Sequence, residues 1–182
     1  MKKIFLLIAL IPSLTQAANW NVDSAKSKLT FTAEQAGEKF NGSFTHFTPQ
    51  ITFNPQALDK TNILVTIDMA SVTIEGSDRQ GEIGNAEWLN IQQFTSAEFT
   101  ASGARQEGEN YITDGTLNLK GIKKPVSLKF TLREANGITT AHGTAQLNRR
   151  EFNVGTGSDW ESDQWVAFPV DIQFTILATP KP

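Results

Sequence analysis

Apolar and polar residues alternate along residues 111–133, which read YITDGTLNLKGIKKPVSLKFTLR. Strict alternation places the apolar side chains on one dry face of a strand and the polar side chains on a wet face. The dry faces hold Tyr111, Leu117 and Leu119 in the first run and Val126, Leu128, Phe130 and Leu132 in the second. Turn-forming residues at 121–125 separate the two runs, so the segment predicts an antiparallel hairpin.

The same period of two recurs in further segments and predicts strands along most of the chain. The predicted inward positions are Leu29, Phe31 and Ala33; Phe40, Gly42, Phe44 and His46; Ile51 and Phe53; Ile63, Val65, Ile67 and Met69; Phe99, Ala101 and Gly103; Ala141, Gly143, Ala145 and Leu147; and Val166, Phe168, Val170, Ile172, Phe174 and Ile176. Short connections between about eight strands predict an antiparallel all-β fold, either a sandwich or a closed barrel. Only residues 77–90 interrupt the pattern, and Ser77 or Asp78 would cap a short helix there.

Small residues at inward positions bear on the choice between the two architectures. They are Ala33, Gly42, Ala101, Gly103, Gly115, Ala141, Gly143 and Ala145. A sandwich needs bulky side chains on both inner faces, whereas an eight-stranded barrel can leave room for one small ligand. The pattern therefore favours a lined cavity. The alternative, that aromatic side chains of neighbouring strands fill these gaps or that the glycines mark bulges, stays open.

The first seventeen residues differ from the rest of the chain. Lys2 and Lys3 precede an apolar run over residues 4–12, and small residues stand just before Ala18. This order is typical of a secretory signal peptide cleaved near Ala17, and the apolar run is about half the length of a bilayer span. We therefore expect residues 1–17 to be removed on export, and residues 18–182 to form a single domain.

Composition narrows the classes of function. The chain has no Cys, which excludes disulfides, Cys-ligated zinc and Cys nucleophiles. Without Lys2 and Lys3, 14 of the 16 basic residues remain against 19 acidic residues, a net charge of −5. An acidic chain without a long basic run argues against binding to nucleic acid or to anionic membrane surfaces.

Candidate catalytic groups are sparse. His142 lies on the polar side of its strand and is expected in solvent, whereas His46 is expected to point inward, where a structural role is favoured over a catalytic one. The acidic residues of GSDWESDQW at 157–165 resemble the start of a calcium loop, but Gln164 and Val170 stand where that loop needs Gly and Glu. No phosphate-binding loop or nucleophile elbow is present, and no pair of carboxylates is singled out for glycoside chemistry.

Several short motifs, taken in order, are similar to those of the YceI-like family. They are WNVD at 20–23 with Ser27 and Phe31; GSF at 42–44 with Phe47; ITFNP at 51–55; ASV at 70–72; DR at 78–79; WL at 88–89 before Phe94 and Phe99; YITDGTL at 111–117 with Gly121; and REFNVG at 150–155. The resemblance extends over nearly the whole of residues 18–182. The chain departs from many members at Gln35, where they have His, and at Phe168 and Pro169, where they have an acidic residue.

The resemblance implies an all-β fold, an eight-stranded antiparallel lipocalin-like β-barrel with a short helical segment near 77–90. It also implies non-catalytic binding of a long-chain amphiphile, such as a polyisoprenoid, an isoprenoid quinone or a prenyl phosphate, in the periplasm. Besides this lipid ligand, no cofactor or metal is expected. We also expect neither binding to nucleic acid nor stable insertion into a membrane. The sequence leaves open a homodimer, a membrane redox partner, the headgroup and the tail length.

The side chains expected to contact the ligand lie on the predicted inward faces and in the helical segment. They are Phe31, Phe44, His46, Phe53, Ile67, Met69, Trp88, Phe99, Leu117, Phe130, Ala141, Ala145, Leu147 and Phe168. Two other functions stay open at this point. One is a barrel enzyme that uses His46 with a carboxylate, and the other is a stress-protective module that acts through its surface.

Overall fold

The computed structural model describes residues 18–181, so the predicted signal peptide lies outside the described residues. The strands are β1 (Ala18–Val22), β2 (Lys28–Gln35), β3 (Glu38–Phe44), β4 (Phe47–Phe53), β5 (Asn62–Asp68), β6 (Val72–Ile74), β7 (Ser96–Ser102), β8 (Arg105–Glu107), β9 (Asn110–Leu119), β10 (Ile122–Ala135), β11 (Ile138–Asn148) and β12 (Pro169–Pro180). One α-helix, α1, spans Ser77–Glu82, and short 3₁₀ turns span Leu58–Lys60, Met69–Ser71 and Arg149–Phe152.

The described strands form an eight-stranded closed antiparallel barrel, as the sequence predicted. Three of its strands are bent, and each of these consists of two shorter ones. They are β1 with β2, β3 with β4, and β5 with β6, because β4 pairs with β1 and β5 while β3 pairs with β2 and β6. The circuit continues through β7, β9, β10 and β11. It closes where β12 pairs with β11 on one side and with both β2 and β1 on the other.

The hairpin predicted from residues 111–133 is confirmed, but its turn is shorter than expected. Leu119 pairs with Ile122, so the connection consists of Lys120 and Gly121, whose φ angles are 52° and 75°. Two left-handed residues make the tight turn that matches the twist of antiparallel strands, and Gly adopts this conformation without strain. Pro125 therefore lies inside β10, where it pairs with Thr116.

The helical segment occupies the predicted place, but its N-terminus is formed differently. The N-cap residue is Gly76, and no side chain caps the helix, so neither Ser77 nor Asp78 does. Another side chain of α1 instead supports the barrel wall. Gln80 accepts a hydrogen bond from the Ile74 amide (2.8 Å) and donates one to the Val72 carbonyl (3.3 Å), at the edge of β6 that faces away from β3.

Three of the small inward residues do not border open space, contrary to the expectation. A β-carbon at Gly42, Gly115 or Gly143 would collide with the ring of Phe31, Phe99 or Phe174, respectively. Each ring belongs to the neighbouring paired strand, and its tip lies over the glycine. Gly103 is also not in a strand, because β7 ends at Ser102 and Gly103 turns with a φ of 77°. The alternative of aromatic filling is thus correct at Gly42, Gly115 and Gly143, but not at Gly103.

Aromatic side chains cluster near one end of the barrel, which we call the aromatic end. The rings of Phe53 and Tyr111 meet edge to face at a centroid distance of 5.2 Å, and Phe130 contacts both rings at 5.7 and 5.6 Å. The Trp20 indole donates a hydrogen bond to the Phe53 carbonyl (2.9 Å). Offset and edge-on aromatic contacts of this kind are favourable beyond the area that they bury.

Two segments cover the other end of the barrel, and we call residues 75–95 and 153–168 together the lid. The amides of Gly155 and Thr156 donate to the Glu87 carbonyl at 2.8 and 2.9 Å, and the rings of Trp88 and Trp160 lie 5.2 Å apart. The lid packs on the hydrophobic core, to which its own Leu89 and Val154 belong. The most buried members of the core include Met69 and Phe152, which are each 1 % exposed.

Arg149 organises the second lid segment. Its side chain is buried, and its guanidinium donates hydrogen bonds to six backbone carbonyls, those of Val154, Gly155, Trp160, Ser162, Val166 and Ala167, at 2.8–3.3 Å. It also lies over the rings of Trp88 and Phe168, at 5.8 and 5.3 Å. No carboxylate of residues 18–181 forms an ion pair with it. Burial accordingly lowers the pKa of Arg149.

Alanine substitutions at the glycines covered by aromatic rings should lower the stability of the protein to different degrees. A β-carbon at Gly115 would lie 2.5 Å from the Thr100 carbonyl oxygen, which is part of the backbone and cannot move aside. At Gly42 it meets only the tip of the Phe31 ring, which can rotate. Gly115→Ala should therefore lower the free energy of unfolding by about 1–3 kcal/mol, and Gly42→Ala by less.

Denaturant unfolding of the purified protein measures this difference. Gly81→Ala is the matched control, because nothing lies within 4 Å of its new methyl group. In a helix this change should raise stability by about 0.5–1 kcal/mol. Equal losses at Gly115 and Gly81 would contradict the assigned packing.

Removal of the Arg149 guanidinium should loosen the lid while leaving the barrel closed. Arg149→Gln leaves several carbonyls without donors, so the free energy of unfolding should fall by on the order of 3 kcal/mol. Hydrogen exchange of the Gly155 and Thr156 amides should accelerate far more than exchange in β9 and β10. Arg150→Gln is the control, because Arg150 donates to one carbonyl, that of Gly155. Uniform acceleration throughout the barrel would contradict a local role.

Candidate ligand cavity

The barrel encloses a cavity of about 780 Å³. Apolar side chains from β1 to β7 and from β9 to β12 line most of it, and they reach from Trp20 and Ala178 at the aromatic end to Trp160 in the lid. Its volume falls within the roughly 300–1,000 Å³ that is usual for sites that hold small molecules. The period-two pattern of the sequence is the direct cause, since each alternate side chain on these strands points inward.

All but two of the residues predicted to contact a ligand line this cavity. They are Phe31, Phe44, Phe53, Ile67, Met69, Trp88, Phe99, Leu117, Phe130, Ala141, Ala145 and Leu147. Other positions with the predicted inward parity, among them Leu29, Ile172 and Ile176, line it as well. The prediction that Ala141 and Ala145 border open space is correct, whereas Gly143 between them lies under Phe174 and next to Phe130.

His46 does not line the cavity, and the prediction that it points inward is wrong. The strand bends between β3 and β4, so that Phe44 and Phe47 both face inward although they are three residues apart. His46 is consequently exposed, and its Nδ1 lies 3.1 Å from the Thr45 hydroxyl. His142, expected in solvent, is exposed on β11 with its Nδ1 3.1 Å from the Thr175 hydroxyl.

Phe168 also lies outside the cavity lining. The last strand begins at Pro169, one residue later, so Phe168 belongs to the irregular lid segment and not to the alternating run. Its ring packs against the Arg149 guanidinium, and its carbonyl accepts a hydrogen bond from the Arg149 amide (2.9 Å). Val170, two residues further on, lines the cavity as the strand pattern predicted.

The cavity has a polar mouth that the strand pattern did not reveal. Its charged and polar lining residues at the lid end are Gln35, Ser77, Asp78, Arg79, Glu82 and Arg149. All but Gln35 and Arg149 come from α1, and Gln35 ends β2. They meet only after the chain has folded, and the single signal in the sequence was the DR motif at 78–79.

Cations of the lid end are held by backbone carbonyls. Lys120 donates to the Asn153 carbonyl at 2.6 Å and to the Ala86 carbonyl at 3.3 Å, so it joins the two lid segments. Burial lowers the pKa of Lys120, as it does that of Arg149. The carboxylates that line the mouth, those of Asp78 and Glu82, belong to exposed residues. The mouth is therefore more positive inside than at its rim.

Within residues 18–181 no group of three or more His, Asp and Glu side chains is placed to hold a metal ion. The same residues contain no helix of the length and apolar character that a bilayer crossing requires. What the arrangement offers chemically is an extended apolar volume with a polar, partly cationic mouth. Sites that bind small molecules generally combine such apolar walls with a few polar groups that orient the ligand.

Comparison with solved structures supports this architecture. Burkholderia cenocepacia BcnA superimposes with a TM-score of 0.82 at 29% sequence identity, over 87% of this chain and 100% of that chain. The Campylobacter jejuni YCEI protein superimposes with a TM-score of 0.58 at 21% identity, over 78% of this chain and 84% of that chain, and shows the fold alone.

Curated relatives match parts of the sequence. A UPF0312 protein of Pectobacterium carotovorum is 40% identical over 126 residues, which are 63% of each chain. The Protein YceI of Salmonella arizonae is 38% identical over 94 residues, 50% of this chain and 48% of the relative. The chain thus spans about half to two thirds of the length of these relatives. Residues 20–178 match the YceI-like domain. The chain belongs to the YceI-like domain family, and its barrel and cavity are consistent with a binding protein.

Proposed function

We propose that this protein binds a long-chain amphiphilic lipid, a polyisoprenoid, an isoprenoid quinone or a similar molecule, in the barrel cavity without catalysis. Transport or storage of that lipid in the periplasm is the role that such binding would serve. The observation that carries the proposal is the continuous apolar cavity of about 780 Å³. An apolar volume of this size gains stabilisation from an apolar occupant, because each buried methylene contributes about 0.8 kcal/mol.

The length of the barrel suits an extended tail. β9 has 10 residues and therefore spans about 33 Å, or roughly 25 Å along the barrel axis once the usual strand tilt is included. A tail of ten buried carbons offers on the order of 8 kcal/mol before the ordering costs of binding. The lining contains aromatic and branched side chains along this whole length, so the tail needs no polar partner inside.

A barrel enzyme that uses His46 has less support. A general base must come within hydrogen-bond reach of its substrate. His46 is exposed and lies outside the cavity lining, so it cannot act on a molecule held there. A surface-acting protective module would not need a large apolar cavity, and the cavity therefore favours the binding proposal over it.

The proposed location follows from the predicted signal peptide. Lys2 and Lys3, the apolar run over residues 4–12 and the small residues just before Ala18 support export with cleavage after Ala17. Export in this form would deliver a complete barrel to the periplasm. It would also place the cavity between two membranes, where a lipid in transit needs protection from water.

A bulky side chain in the cavity should separate folding from binding. Ala145 lines the cavity on β11. The indole of Ala145→Trp can occupy ligand volume, so delipidated protein should lose no more than about 1 kcal/mol of stability, while a long tail should be excluded. The measurements are thermal unfolding of delipidated protein and mass spectrometry of an organic extract from purified protein.

Thr144→Trp is the matched control, because it adds the same side chain at the exposed neighbouring position. It should change neither the fold nor the bound lipid. If Ala145→Trp abolishes folding of the delipidated protein and Thr144→Trp does not, the interior has no room for a ligand. The binding proposal would then be wrong.

Export is tested by the mass of the protein in the periplasmic fraction. We expect a mature species that begins at Ala18 or Asn19, because the small residues before that point suit signal peptidase. Replacing Ala17 with Phe should block cleavage and retain the full chain in the membrane fraction. Full-length protein in the cytoplasm would contradict the proposed location.

A further inference from the structure

Arg79 is held in one position at the mouth of the cavity. Its guanidinium lies 4.5 Å above the centre of the Phe40 ring. Its Nε donates to the Glu75 carbonyl at 2.7 Å, and its Nη1 donates to Gln35 Oε1 at 2.8 Å. The side chain lies against Gly76, where an added β-carbon would be 3.0 Å from Nη2. The group is thus oriented before any ligand arrives, which lowers the entropic cost of binding.

The guanidinium keeps unused donors. It carries five N–H groups, of which the bonds to Glu75 and Gln35 use two. Arg79 is partly buried and takes part in none of the ion pairs formed within residues 18–181. A planar fork of N–H groups without a carboxylate partner is the preferred arrangement for binding an oxyanion through two parallel hydrogen bonds.

Charges around the mouth limit which anion fits. Two cations, Arg79 and Arg149, and two carboxylates, Asp78 and Glu82, line the cavity. The cations are the more buried pair and the carboxylates are exposed. The carbonyl bonds occupy the Arg149 guanidinium, so Arg79 is left to meet a ligand. The carboxylates at the rim repel a head with several charges more strongly than one with a single charge.

We propose that Arg79 is a headgroup-binding residue and that the ligand is an amphiphile with a single negative charge, such as a long-chain carboxylate. The head lies at the lid end on Arg79, and the tail extends toward the aromatic end. This assignment rests on the proposed lipid-binding function and specifies its ligand class. The same guanidinium fork also fits a free carboxylate without a tail, so acetate is included in the test.

The test compares ligands that share one tail. Delipidated protein is loaded with the neutral fluorescent probe N-phenyl-1-naphthylamine, and hexadecanoate, 1-hexadecanol, hexadecyl phosphate and acetate are added as competitors. We expect hexadecanoate to displace the probe at the lowest concentration, and acetate to leave it bound. In Arg79→Gln, the affinity for hexadecanoate should fall about ten-fold or more, because a hydrogen bond to a charged group is lost. The affinity for hexadecanol should stay within about two-fold, since its tail contacts are unchanged.

Two variants separate the role of Arg79 from charge in general and from lid stability. Lys129→Gln removes a positive charge from an exposed position on β10 and should leave all affinities unchanged. Arg79→Lys keeps the charge but loses the fork, and should recover only part of the affinity for hexadecanoate. Unchanged binding of hexadecanol also shows that the cavity of each variant is intact.

The outcomes distinguish the headgroup role of Arg79 from the lipid-binding function on which it rests. Equal losses for hexadecanoate and hexadecanol in Arg79→Gln would overturn the headgroup role and leave lipid binding in place. Tighter binding of hexadecyl phosphate than of hexadecanoate would overturn the assignment to a single charge. Displacement of the probe by acetate alone would show a site for a free anion and overturn the amphiphile. If no long-chain competitor displaces the probe from any variant, the lipid-binding function itself is wrong.

Discussion

Closure of the sheet on itself is the constraint on which the rest of the structure depends. β12 completes the circuit by pairing with β11 along one side and with two separate strands, β2 and β1, along the other. The closed antiparallel circuit pairs the wall strands on both sides over most of their length and creates an apolar inside. The apolar cavity, the aromatic end and the lid are all consequences of having such an inside.

The sequence predicted most of the barrel lining because the inward positions follow from local alternation, whereas alternation alone left both a sandwich and a closed barrel open. The residues of each strand indicate by themselves which of its faces points inward. Phe31, Ile67 and Leu128 could therefore be placed without knowledge of the neighbouring strands. The errors lie where alternation stops. His46 follows a bend between β3 and β4 that shifts the inward parity, and Phe168 precedes the first residue of β12. At Gly42, Gly115 and Gly143 the pattern gave the correct face but could not show which ring would cover it.

The polar end of the cavity could not be predicted, for a different physical reason. Arg149 bonds to carbonyls up to 18 residues away along the chain, and Arg79 reaches Gln35 across 44 residues. Backbone carbonyls carry no sequence signature, since every residue has one. Burial of a cation against such partners is stable only because many weak dipoles share the charge, and no single residue in the sequence identifies them.

The Gln80 side chain at the edge of β6 has a consequence for how these molecules behave at high concentration. Its amide accepts from Ile74 and donates to Val72, as the backbone of an added strand would do. An exposed strand edge is a template on which a second chain can pair, and such pairing leads to aggregation. The backbone groups on this edge of β6 lie beyond the reach of β7, and the Gln80 side chain occupies them. The short strand is therefore protected without pairing to a further strand. One glutamine side chain thus protects this edge of the wall.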